Sequence, residues 1–353
     1  MNNYSNFLET KRLSDVPTGK LISDLHSDLY DFQRDITKWA LRRGRAAVFA
    51  DCGLGKTHIQ LGWARHIDGK VLIVAPLSVG KQTANIAEGM GIKTNIARSG
   101  QNLREGINIT NYEMLKHFDS GDLNGIVLDE SSIIKHVDSK TRQMLMDRFS
   151  RISWRLCCTA TPCPNDITEL ANHAEFLGIM TRKEMLSTFF INRQDSQSGW
   201  TLKGHAQEGF YKWLVSWAMA LKSPADLGYA GDGFILPELK IQDEKVSTDW
   251  RQEGELFPGI RMGLRDHLKV RKNSVQERAE RIVEIVKKVQ GQVIIWCALN
   301  EEAKLVARLT GGNEIKGADS IQKKTDTIMD FVNGTFRILV TKPKIAGFGL
   351  NLQ

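Results

Sequence analysis

Paired cysteines are missing from this chain. Five of its 353 residues are cysteine (Cys52, Cys157, Cys158, Cys163 and Cys297), and none form a CxxC pair. An odd, scattered set excludes a disulfide framework and a zinc knuckle and points to a reducing compartment. Residues 1–13 lack the apolar core of a secretory signal. No apolar run approaches the ~20 residues that a membrane span needs. These absences imply a soluble intracellular protein. What is present is ordinary for a globular chain with a sizeable core: 41% apolar and 25% charged residues. The length suits two domains, or one with a large insertion. A net charge of +7 and a pI near 9.1 favour a polyanionic partner without requiring one.

The stretch Ala50-Asp51-Cys52-Gly53-Leu54-Gly55-Lys56-Thr57 organises the rest. The apolar run at 46–49 predicts a buried strand before it, and 58–65 reads as a helix after it. Strand, glycine loop, Gly-Lys-Thr and helix is the context of a phosphate-binding P-loop, or Walker A motif. Gly53 and Gly55 let backbone N–H groups turn toward a polyphosphate at a helix N-terminus. Lys56 would reach the β- and γ-phosphates, and the Thr57 hydroxyl would ligate Mg²⁺. Ala50 stands where the general pattern starts with glycine. Upstream, 29–42 predicts an amphipathic helix, with Phe32, Ile36, Trp39 and Ala40 at helical spacing. The Gln33 amide offers the donor and acceptor that an adenine edge requires, and Phe32 beside it could stack on the ring. Gln33 also reads as an ordinary surface residue.

Downstream, the apolar run 71–76, closed by proline, predicts a parallel strand buried on both faces. Further strands are predicted at 107–110, 125–128 and 154–158. The strand at 125–128 ends in Asp129-Glu130-Ser131-Ser132. An aspartate just past an apolar strand can hold Mg²⁺ through its water shell, and the neighbouring glutamate can orient and deprotonate a water. An acid- and serine-rich helix start is the competing reading. Thr159-Ala160-Thr161-Pro162 follows the next strand, with hydroxyls suited to link the nucleotide site to the opposite domain or to cap a turn.

In this order the motifs resemble superfamily-two helicases and, within them, the Swi/Snf-type double-stranded DNA translocases. Residues 29–33 resemble the family's adenine-reading segment, and Asp51 to Thr57 its DEMGLGKT loop. Ala75-Pro76-Leu77-Ser78-Val79 and Ile109-Thr110-Asn111-Tyr112-Glu113 resemble motifs Ia and Ib, which contact the DNA backbone. Residues 129–141 resemble its DEGHRIKN..SK run, with Ser131 in place of Gly or Ala and Ser132 in place of His. Residues 159–177 resemble its motif III region, and the short 181–245 segment resembles the small phage-encoded members.

The resemblance implies an α/β chain of two tandem RecA-like parallel-sheet domains. The first spans 1–180 and binds ATP. A helical insert and linker spans 181–245, its Phe210, Trp213, Leu214, Trp217 and Leu221 at the spacing of a core stripe. A partial second domain spans 246–353. Strand and helix alternate there, after a long basic amphipathic helix at 266–289. The chain ends near motif V, before the arginines of motif VI, whose fingers contribute ~10³–10⁵ in turnover. The implied activity is an ATP- and Mg²⁺-dependent DNA motor working in a cleft between the two domains. Its site residues would be Lys56 and Glu130 in catalysis, Phe32, Gln33, Gly53, Gly55, Lys56 and Thr57 at the nucleotide, and Thr57 and Asp129 at the metal. Ser78, Lys81, Thr110, Asn111 and Thr161 would lie along duplex DNA. The setting implied is the cytoplasm of a bacterium or a phage-infected host. A nucleotide- and DNA-binding module with little hydrolysis, or an RNA-directed helicase, are the alternatives.

Overall fold

Apolar runs of five or six residues build the middle of the central sheet, because strands such as Lys70–Ala75 and Gly125–Asp129 hide both of their faces. The computed structural model describes residues 17–25, 28–77, 79–193, 199–235, 237–247 and 264–347. Contacts divide the chain into two units, the first ending at Pro237 and the second starting at Glu238.

The first unit runs α1 (Asp31–Arg43), β1 (Arg45–Ala50), α2 (Lys56–Arg65), β2 (Lys70–Ala75), α3 (Val79–Gly89), β3 (Thr94–Ile96), β4 (Gly106–Asn111), β5 (Gly125–Asp129), α4 (Lys140–Phe149), β6 (Trp154–Cys158), α5 (Leu170–Leu177), α6 (Arg182–Phe189), β7 (Phe190–Asn192), β8 (Trp200–Leu202), α7 (Gln207–Trp217) and β9 (Ala218–Leu221). Seven strands form one sheet in the order β3-β4-β2-β5-β6-β1-β9, every pairing parallel. β7 and β8 make a small antiparallel pair. Alternation sends Ala47, Phe49, Leu72, Val74, Ile126, Leu128 and Cys157 into one core with α4 to α7. It sends Ala46, Val48, Ala50, Val71, Ile73, Val127, Leu156 and Cys158 into the opposite core with α1 to α3. A strand buried on both faces shows no polar alternation, which is why these runs read as continuously apolar. β6 separates the glycine-loop strand β1 from the acid-bearing strand β5, the RecA-like arrangement expected from the sequence.

Of the segment 181–245, expected as an insert and linker, the described residues up to Pro237 belong to the first unit. Phe189, Phe210, Trp213 and Trp217 are buried in its core, and β9 extends the sheet beside β1, pairing Ala47 with Ala218. Tyr229 Oη donates to Asp35 Oδ2 at 2.5 Å, and Phe234 packs edge-on against Phe32. The polar lead-in to α1 is also anchored. The backbone N–H groups of Thr18, Gly19 and Lys20 donate to the carbonyls of Arg43, Arg42 and Leu41, satisfying the last turn of α1. A Cβ at Gly19 would lie 1.8 Å from the Leu41 carbonyl oxygen, so only glycine permits that approach.

The second unit comprises α8 (Leu264–Asn273), α9 (Val275–Lys288), β10 (Val293–Trp296), α10 (Asn300–Thr310), β11 (Asn313–Glu314), α11 (Ile321–Val332), β12 (Ile338–Thr341) and α12 (Pro343–Ala346). Its parallel sheet has the order β10-β12-β11, with separate apolar clusters around Val340 and Leu339. The single helix expected across 266–289 is broken at Ser274, whose backbone leaves the helical region (φ −99°, ψ 19°). The Ser274 hydroxyl donates back to the Val270 carbonyl at 2.8 Å, a local bond that competes with helix continuation. Among the described residues no helix is long and apolar enough to cross a membrane.

Candidate nucleotide site

All strands of the first sheet point the same way, so the segments that follow β1, β2, β4, β5 and β6 leave from its carboxyl edge. Open α/β sheets bind ligands at that edge. The glycine loop leaves β1 there. Gly53 and Gly55 hold φ values of 82° and 72°, which a side chain would strain, and Gly55 is the N-cap of α2. The His58 and Ile59 amides donate to the Gly55 carbonyl, which leaves those of Lys56 and Thr57, at the same end, without an intrahelical acceptor. Lys56 Nζ donates to the carbonyls of Ala50 (3.0 Å) and Asp51 (3.2 Å), so the ammonium lies over its own loop. Thr57 is half-buried at the start of the helix.

One turn beyond Thr57, buried Gln60 donates from Nε2 to Asp129 Oδ1 at 2.6 Å. This bond joins the helix that begins at Lys56 to the end of β5. Burial pushes the Asp129 carboxyl up to about 6, with the Glu130 charge adding to the shift and the Gln60 hydrogen bond and Lys56 charge opposing it. Tyr112 Oη donates to the Asp129 carbonyl at 2.5 Å. Glu130 then leaves the strand at φ 49°, ψ 49°. It has the only positive φ of a non-glycine residue among the described residues, at a cost of about 1–2 kcal/mol. Its Oε2 accepts from Thr159 Oγ1 at 3.3 Å, and the same hydroxyl accepts the N–H of Thr161 at 3.2 Å. Thr159 is also tied to β1, through its N–H to the Val48 carbonyl. The acid pair, the Thr159 turn and the glycine-loop strand thus form one bonded set.

The adenine-side residues sit differently from the sequence expectation. Gln33 is buried, donating from Nε2 to the Leu54 carbonyl at 3.0 Å and accepting the Tyr30 N–H on Oε1 at 3.1 Å. Its amide braces the glycine loop. Phe32, expected as the stacking ring, is 2% exposed in the core; the exposed ring is Tyr30, at 61%. Helical spacing places Phe32 on the apolar face, and its position beside Gln33 suggests the nucleotide; the ring is buried on the apolar face. Of the residues expected along DNA, Ser78 lies outside the described residues. Thr110 is buried at 5% under the carboxyl edge. Asn111 Oδ1 accepts the Met114 N–H, capping a 3₁₀ turn. Lys81 is half-buried on α3, and Thr161 is exposed. A cleft of about 490 Å³ lies near this edge, lined by Lys135 and Arg182 together with Asp138, Asp166 and Glu169. Its mixed charge is not that of a phosphate site, and no glycine-loop residue lines it.

Sequence reading did not single out Gln60, Tyr112 or His173. Gln60 was accessible in principle, since i and i+3 share a helix face. No spacing signal could have paired Tyr112 or His173 with the acid pair.

The donor set fits a hard cation. The Asp129 carboxylate and Thr57 hydroxyl are oxygen donors, and Mg²⁺ bound with a nucleotide takes only one or two protein carboxylates.

Comparison with known proteins follows the same lines. The family model of the SNF2-related domain matches residues 32–198. The SWI2/SNF2 ATPase core of Sulfolobus solfataricus, solved in complex with dsDNA, is 18% identical, the match covering 94% of this chain and 82% of that one with a TM-score of 0.49. The UvsW helicase of bacteriophage T4 is 13% identical, covering 51% of this chain and 65% of that one with a TM-score of 0.35. No curated protein matches the chain. The stretch that matches the SNF2-related domain model, residues 32–198, carries the glycine loop, the acid pair and the Thr159 turn.

Proposed function

We propose that the chain is a DNA-dependent ATPase, the motor of a translocase or helicase. The observation that carries this reading is the Gln60–Asp129 hydrogen bond of 2.6 Å, because it joins the phosphate-binding helix to the acid pair. The SNF2-related match over residues 32–198 supports the same reading.

Lys56 swings from its loop carbonyls to the β- and γ-phosphates, exchanging two neutral acceptors for charged ones. The Thr57 hydroxyl and Asp129 would hold Mg²⁺, which would supply neutralisation of charge on the phosphate oxygens. Glu130, held by Thr159, orients a water and takes its proton as the water attacks the γ-phosphorus and the bond to ADP breaks. Tyr30 covers the base while Gln33 keeps the loop in shape. Duplex DNA is the partner that the SNF2-related match suggests, and the net charge of +7 suits a polyanion; Lys81 and Thr161 would lie near its backbone. Contacts of that kind are salt-dependent and indifferent to sequence.

The test is ATP turnover with and without duplex DNA, for the wild type and Glu130→Gln. DNA-stimulated turnover lost in Glu130→Gln supports the reading, and equal hydrolysis by both proteins removes Glu130 as the base. Stronger stimulation by RNA than by duplex DNA would overturn the DNA assignment.

A further inference from the structure

Glu130 occupies a backbone conformation that a side chain disfavours, so the residues around it must hold it there. Before it, the β5–β6 register pairs Asp129 with Cys158, and Tyr112 binds the Asp129 carbonyl. After it, the chain enters the 3₁₀ turn Ser131–Ile134, which α5 holds at both ends. Ser131 is fully buried, and its Oγ lies 3.1 Å from His173 Nε2. Asn172, the neighbour of His173, donates from Nδ2 to the Lys135 carbonyl at 2.7 Å and accepts from Arg142 Nε at 3.0 Å. The His173 ring also meets the Phe49 ring edge-on, 5.3 Å between centroids, and Phe49 lies one residue before the glycine-loop stretch begins at Ala50. One imidazole therefore touches both the strand that delivers the P-loop and the residue that follows the proposed base.

We infer that His173 is a positioning residue for ATP hydrolysis, holding Ser131 so that Glu130 keeps its left-handed backbone and its carboxylate stays on Thr159. The inference rests on the proposed function and adds a residue to its site. A fully buried imidazole whose only role was filling space would be served better by leucine, since burying a polar ring without a partner costs stability. Here the ring is bonded through Nε2, while its buried Nδ1 has no hydrogen-bond partner among the described residues, and burial keeps it neutral by lowering its pKa to about 4. The Ser131 hydroxyl is itself fully buried and needs a partner, which His173 supplies.

The experiment compares the wild type with His173→Leu, His173→Gln, Ser131→Ala and the double variant Ser131→Ala/His173→Leu. It reads kcat, KM for ATP, affinity for a fluorescent ADP, and amide exchange over residues 130–133. Small misplacements of a reacting group cost up to ~10²-fold, so kcat is expected to fall about tenfold in His173→Leu and in Ser131→Ala. The double variant should be no worse than either single one, and ADP affinity should stay within about twofold. His173→Gln, which can still bond a hydroxyl, should recover most of the loss. Exchange at 130–133 should rise in both single variants. Normal kcat, or unchanged exchange at 130–133, in folded Ser131→Ala and His173→Leu overturns the inference, as does a parallel loss of kcat and ADP affinity. Should His173→Leu not fold, Ser131→Ala alone decides, since it removes one oxygen. Glu130→Gln separates the two levels: if it hydrolyses ATP like the wild type, the assigned base fails. If it is inactive while the His173 and Ser131 variants are normal, only the positioning role fails.

Discussion

Gln60 Nε2 and Asp129 Oδ1 lie 2.6 Å apart, one on the helix that opens with Lys56 and the other at the end of a strand two places away in the sheet. That bond satisfies a carboxylate buried to 5% exposure. Removing the amide leaves the charge with less support, and breaking one partner of a buried charged hydrogen bond costs about 1–3 kcal/mol. Gln60→Leu is expected to lower the melting temperature and weaken Mg²⁺-dependent nucleotide binding. Calorimetric titration with ADP, with and without Mg²⁺, measures both binding terms.

Asp129 is a source of instability in the protein free of metal and nucleotide. Its folded pKa of about 6 stands above the ordinary 3.8, so the folded state holds its proton more tightly than the unfolded state. The contribution is most favourable below pH 3.8 and is lost as pH rises through 6. Asp129→Asn should therefore melt higher than the wild type at pH 8 in EDTA, by up to about 3 kcal/mol, while losing ATP turnover. A lower melting point in EDTA would contradict the assigned shift.

His173 titrates in the opposite sense. Burial depresses its pKa from 6.5 to about 4, so its contribution is present above pH 6.5 and is lost as pH falls toward 4. Relative to the wild type, His173→Gln should gain stability on acidification through that window and Asp129→Asn should lose it. Denaturant melts at pH 7 and pH 4.5 on the three proteins check the two signs.

The Thr159 hydroxyl bonds the Glu130 carboxylate. Thr159→Val keeps the shape and removes the bond. An expected fall of about tenfold in kcat, with KM for ATP little changed, corresponds to ~1.4 kcal/mol of transition-state stabilisation. Thr159→Ser, retaining the hydroxyl, should stay near the wild type in the same steady-state assay.

Gly55→Ala should abolish nucleotide binding. The added Cβ would sit 2.3 Å from Gln33 Nε2 at a φ of 72°, so both the backbone and the brace from Gln33 must give way. The reverse probe, Gln33→Ala, should loosen the loop and weaken ADP binding without the steric clash. Fluorescent-ADP titration ranks the two, with Gly55→Ala expected to be the weaker binder.

Local pattern was enough for much of this protein. Runs such as 71–75 and 125–128 can only be strands buried on both sides, and Gly-Leu-Gly-Lys-Thr between a strand and a helix can only turn its amides outward at a helix start. The order of those elements made the α/β class, the glycine loop and the acid pair legible, because each depends on residues adjacent in the chain. What tertiary structure alone decided are the contacts between distant segments. Phe32, on α1, sits in the core and Tyr30 on the surface, and Phe234, far along the chain, packs edge-on against both rings. Residues 181–237 complete the first unit because β9 finds the open edge of β1. Gln60 meets Asp129, and His173 meets Ser131, because parallel strands bring their carboxyl ends together across sequence gaps of 69 and 42 residues. Linear spacing carries no trace of such meetings, since they arise from strand order and burial.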